Sequence, residues 1–140
     1  MTSPLDEEST PALRAIGNIL SSTNPENIDL FLFHGGLSAF NHLMTTDQSI
    51  QKMKELLWSC SNITAGTEQE IITFINHKDI LDKILLLMNS SNIQVRREAV
   101  YVITNILTTM QNQTSNYNLA NYDNRKILGL FVQGLKINDA

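Results

Sequence analysis

Residues 55–66 read ELLWSCSNITAG, a helix-forming stretch that nevertheless places Asn62 four residues after the chain's single tryptophan, Trp58. Asparagine is a poor interior helix residue because its amide competes for backbone hydrogen bonds. The same ending appears twice more. Residues 11–20 read PALRAIGNIL and residues 98–107 read EAVYVITNIL, so Asn18, Asn62 and Asn105 stand 44 and 43 residues apart. A helix-unfriendly side chain kept at a fixed interval marks a repeated structural unit.

Each period divides alike. After Asn18 come a polar break, SSTNPEN, and an apolar-periodic run, IDLFLFH, which Gly35 and Gly36 end as a left-handed cap. LSAFNHLM forms a second helix, TTDQS breaks it, and IQKMKELLWSCSNIT forms a longer third. In the next period AGT breaks the chain, EQEIITFINH and KDILDKILLLM follow, and NSSN leads into IQVRREAVYVITNILTTM. A period in the low forties fits armadillo or HEAT repeats and also a WD40 propeller, but helical spacing excludes four-stranded blades. Short, medium and long helices in each period select armadillo over two-helix HEAT. The reading is an all-α, right-handed armadillo solenoid of about three repeats.

Thr10 followed by Pro11 reads as the start of the first long helix, leaving residues 1–9 as a flexible N-terminus. Residues 10–110 then hold one third helix and two full repeats. Residues 111–123 read as an Asn-rich loop and 124–140 as a partial terminal helix, RKILGLFVQGL.

Composition narrows the function. Only 6 glycines and 3 prolines in 140 residues, with 42% hydrophobic, describe a folded chain. A formal charge of −4 disfavours nucleic acid and allows a basic partner. The lone Cys60 excludes an internal disulfide framework and fits a reducing compartment. The polar, acidic opening MTSPLDEEST does not read as a secretory signal, and ILDKILLLM is too short and charged to span a membrane. His34, His42 and His77 lack metal-ligand spacing, and no nucleophile–base pair or phosphate loop is visible. The expectation is a binding module with no metal or cofactor, not an enzyme.

On a helix, positions i−3, i and i+4 share a face. Glu55, Trp58 and Asn62 have that spacing, as do Glu98, Tyr101 and Asn105. The first copy offers Pro11, Arg14 and Asn18, with the acid missing and a cation in place of the ring. Third helices stacked about 8–10 Å apart meet an extended peptide, rising about 3.3 Å per residue, roughly every three residues. Asparagine amides suit a peptide backbone of any sequence, rings slot the stems of Lys or Arg, and Glu55 and Glu98 attract their heads. Asparagines that cap turns or link adjacent repeats are the alternative, and their in-register recurrence favours the groove. The expected peptide-binding set is Arg14, Asn18, Glu55, Trp58, Asn62, Glu98, Tyr101 and Asn105.

TPALRAIGNI, IQKMKELLWSCSNITAG and RREAVYVITNI also resemble the importin-α (karyopherin-α) family of nuclear import adaptors. In that family, Trp-x-x-x-Asn pairs on third armadillo helices bind nuclear localisation signals. Trp58 with Asn62 matches the pair, and Tyr101 with Asn105 matches it with tyrosine substituted. Arg14 with Asn18 resembles the repeat in which arginine replaces tryptophan at the start of the minor site. The resemblance covers about residues 10–110 and implies repeats of the C-terminal half, Lys/Arg-rich signal peptides as partners, and residence in cytoplasm and nucleus. Importin-β would be a partner only through a basic N-terminal arm, which this sequence lacks. Without the upstream repeats, a truncated regulatory fragment or an armadillo scaffold is the alternative role.

Overall fold

The computed structural model describes residues 4–46, 49–111 and 132. It contains seven helices and no strand among the described residues: α1 (Pro4–Leu20), α2 (Glu26–Phe33), α3 (Gly36–Thr46), α4 (Ile50–Thr64), α5 (Glu68–Asn76), α6 (Lys78–Leu87) and α7 (Ile93–Gln111). The short–medium–long order occurs twice, as α2–α3–α4 and α5–α6–α7, behind a lone long helix, α1.

Like packs on like. The long helices α1, α4 and α7 lie side by side with α4 in the middle, while α2 meets α5 and α3 meets α6. This follows from sequence: each repeat presents the same apolar rows to its neighbour, so counterparts interlock. Leu56, Leu57, Cys60 and Ile63 of α4 are fully buried, together with Phe74, Ile80 and Ile84. Polar bonds also cross the stack. Lys83 Nζ donates to the Asn41 carbonyl (3.1 Å), to Asn41 Oδ1 (2.6 Å) and to Thr45 Oγ1, and His77 Nε2 lies 3.2 Å from Ser38 Oγ. Each joins one repeat to the repeat before it.

Local signals set the helix ends. Ser49 caps α4 by accepting from the Lys52 amide, and Thr67 and Glu70 form a reciprocal capping box at α5. Asn92 Oδ1 accepts from the amides of Gln94 and Val95 at the start of α7. Gly35 takes φ +79° between α2 and α3, a left-handed conformation that costs glycine nothing. Gly36 already belongs to α3. His34 and His77 cap the C-termini of α2 and α5.

The N-terminus corrects the sequence reading. The long helix begins at Pro4, not at Thr10–Pro11, so Pro4–Ser9 are helical and Pro11 lies inside α1. The repeat register explains this. Pro11 matches Glu55 and Glu98, which sit well inside α4 and α7, and Pro4 supplies the first-position proline that helices favour. The expected 111–123 loop and 124–140 helix fall outside the described residues, apart from Gln111, the last residue of α7, and Val132.

Burial pushes the Cys60 thiol far up from its ordinary value. Cys60 should therefore resist a thiol-specific alkylating reagent in the native chain and react at once in denaturant. Mass spectrometry of the alkylated protein reads this directly, and rapid native labelling would contradict the packing of α4.

Candidate peptide-binding site

The three long helices share one open face, and a trough of about 350 Å³ runs along it. Arg14 and Asn18 of α1, Gln51, Lys54, Glu55 and Trp58 of α4, and Glu98 of α7 line it. Five of the eight residues expected from sequence therefore meet in one cavity, drawn from three helices. Asn62, Tyr101 and Asn105 lie outside its lining. Lys54 and Gln51 were not expected there. The i−4 and i−7 spacing of both from Trp58 was the available signal.

Trp58 is half-buried, and Gly17 is the reason. A Cβ placed at Gly17 would sit 2.4 Å from Trp58 Cζ3 and 2.6 Å from Cε3, so the indole rests directly on the α1 backbone. One period on, Ser61 occupies the place of Gly17 in the repeat register, and Tyr101, the counterpart of Trp58, is 61% exposed. A side chain at that position denies the second ring its bed.

The charges pair across the stack. Arg14 donates to Glu55 Oε1 from Nε at 3.0 Å and from Nη2 at 2.8 Å, and Gln51 Nε2 adds a third donor at 3.2 Å. Arg14 is well exposed, whereas the Glu55 side chain is 10% exposed. Glu55 was expected to meet cationic heads of a peptide; its Oε1 instead holds Arg14, and no described residue donates to Oε2. Glu98 is raised from its usual carboxylate range, first by burial, then by the Glu55 charge, while Lys54 pulls it back down. Two cations and two carboxylates face one another, so the trough is balanced in charge and not simply acidic.

The asparagines are divided. Asn18 is exposed and opens into the trough. Asn62 Nδ2 donates to the Gly17 carbonyl at 3.2 Å, and Asn105 Nδ2 donates to the Ser61 carbonyl at 3.1 Å. Both amides thus link adjacent long helices, the alternative to a role in the groove. A carboxamide carries two N–H donors and an oxygen, so the one bond of Asn62 leaves it a donor and an acceptor for another partner, whereas Asn105 Nδ2 also donates to Thr64 Oγ1 at 3.4 Å and keeps only its oxygen. Among the described residues no group of His, Cys, Asp and Glu is arranged to hold a metal ion, and no helix is long and apolar enough to cross a membrane.

Known proteins place this geometry. A designed armadillo repeat protein matches over 95% of this chain and 49% of its own, with a TM-score of 0.65 and 25% identity. A second designed armadillo repeat protein, solved in complex with the peptide (KR)4, matches over 91% of this chain and 56% of its own, with a TM-score of 0.64 and 24% identity. No protein-family model matches the chain. The fold is therefore an armadillo-repeat α-solenoid.

Sequence adds a second step. Importin subunit alpha-1a of Oryza sativa subsp. japonica is 35% identical over 66 residues, which is 47% of this chain and 12% of the rice protein. Fold and sequence together define an importin-α-like armadillo region, spanning a small part of that relative.

Proposed function

We propose that this region binds Lys/Arg-rich linear peptides of the nuclear-localisation-signal type, as an importin-α-like import adaptor or a piece of one, working between cytoplasm and nucleus. One observation carries the reading: an indole bedded on Gly17, two carboxylates and the Asn18 amide converge on a single open trough. A basic side chain laid across Trp58 would gain cation–π attraction and bury its aliphatic stem. Its charged end would reach Glu98 or the unengaged Oε2 of Glu55. The Asn18 amide, and the spare donor and acceptor of Asn62, would hold the peptide backbone. The designed protein bound to (KR)4 supports the choice of a basic ligand, and the likeness to a rice importin subunit supports the import role.

A second reading, a protein-interaction scaffold without import activity, draws on the Arg14–Glu55 pair. That pair answers a carboxylate internally before any peptide arrives. Fluorescence anisotropy with a labelled Lys/Arg-rich peptide separates the two. Trp58→Ala with Asn62→Ala should weaken binding about tenfold, as loss of an aromatic anchor does. Affinity should also fall with salt, since exposed charges are screened over about 10 Å at 0.1 M. Affinity unchanged in the double variant would favour the scaffold.

A further inference from the structure

Exposed apolar side chains on a repeat array arise in two ways: at the end of a stack, or on a row that stacking never covers. The two copies of the first helix separate these cases. His34 and His77 fix their register, in which Ile28 matches Ile71 and Phe31 matches Phe74. The row Glu26, Leu30, Phe33 of α2 then matches Gln69, Thr73, Asn76 of α5. α2 carries a neighbour on one side, α5 carries one on the other, and both rows are exposed. Stacking from either direction leaves this row open. Ile19 behaves differently. Its counterparts Ile63 and Ile106 are buried, so its exposure belongs to the end of the stack.

The open row is polar on α5 and apolar on α2. Leu30 is 53% and Phe33 84% exposed, the latter the highest value for a large hydrophobic among the described residues. Glu26 and Asp29 share this face at helical spacing. Both are exposed, and neither carboxylate pairs with a cation among the described residues. The Phe33 ring stands T-shaped to His34, with centroids 5.3 Å apart, and most of its surface stays open to a partner.

We propose that this face of α2 docks a short amphipathic helix carrying Lys or Arg beside its apolar residues. Leu30 and Phe33 supply the apolar contact, and Glu26 and Asp29 select the sign of the flanking charge. The same two carboxylates repel phosphate backbones and anionic lipid headgroups, so neither nucleic acid nor a membrane surface fits. The surface is separate from the trough, to which α2 contributes no lining residue.

The full chain, titrated with a labelled Leu/Lys amphipathic helical peptide, tests the assignment. Leu30→Ser with Phe33→Ser should reduce affinity about tenfold or more, as removal of anchoring side chains does. The same serine pair should leave the affinity for an extended Lys/Arg-rich peptide unchanged, and the amphipathic peptide remade with Glu for every Lys should not bind. Both serines replace exposed side chains, and an unaltered thermal melt verifies the fold. Equal affinity in the serine variant, or equal binding of the Glu peptide, overturns the proposal. So does self-association of the chain that the serine pair abolishes, because it would assign the face to a second copy.

Discussion

Gly17→Leu should unfold the chain at lower temperature and empty the trough of its ring. Two effects oppose each other. Glycine inside a helix costs roughly 1 kcal/mol relative to a good helix former, so leucine gains that much in α1. Against this, an atom at the Cβ position would lie 2.4 Å from Trp58 Cζ3 and 2.9 Å from Ser59 Oγ, and Ser59 is itself fully buried. Forcing extra carbons into a packed contact costs typically about 1–3 kcal/mol, occasionally more, and here the larger end applies because α4 is held on both sides. The net loss should be about 2 kcal/mol, or roughly 8 °C in melting temperature for a chain of this size. Peptide binding should fall with it, since the indole loses its seat. A melt at or above the parent's would mean that the clash costs no more than the roughly 1 kcal/mol that leucine gains in α1, and the ring would then have no fixed place in the trough.

That prediction was not available from the repeat pattern alone. The recurring asparagines identified the long helices and their register, and the polar breaks located the short ones. α4 begins at Ile50, α5 at Glu68 and α7 at Ile93, where those breaks end. Face also followed from spacing, which is why Arg14, Asn18, Glu55, Trp58 and Glu98 share a cavity. What each face meets depends on the neighbouring repeat. Trp58 needs Gly17, Glu55 takes Arg14, and Asn62 and Asn105 bond to carbonyls 45 and 44 residues earlier. A pattern read along one helix cannot choose between a peptide and the helix next door, because an amide serves either. The signal existed one period upstream: glycine at 17 and serine at 61 distinguish the two rings. The register also put the start of α1 well before Pro11, but Thr10–Pro11 offered a stronger local signal than the period did.

Glu98→Lys should lower affinity for a Lys/Arg-rich peptide about a hundredfold, close to 2.7 kcal/mol at about 1.36 kcal/mol per decade. Two losses combine. An attraction to the peptide's cation disappears, and a like charge takes its place beside Lys54, in a trough whose cations now outnumber its acids. The neutral variant separates binding from folding. Glu98 is raised from its ordinary value, with burial the leading cause. A carboxyl with that shift disfavours the folded state once ionised. Its penalty is absent below the ordinary carboxylate range and grows as pH rises through the raised value. Glu98→Gln should therefore stabilise the chain at neutral pH, leave it unchanged in acid, and still weaken the peptide. Parent affinity should climb as pH rises through the Glu98 titration, and that climb should flatten in Glu98→Gln. Denaturant melts and anisotropy titrations at paired pH values read both sides. A Glu98→Gln protein that binds as tightly as the parent at neutral pH would remove Glu98 from the ligand and leave it a packing residue between α4 and α7.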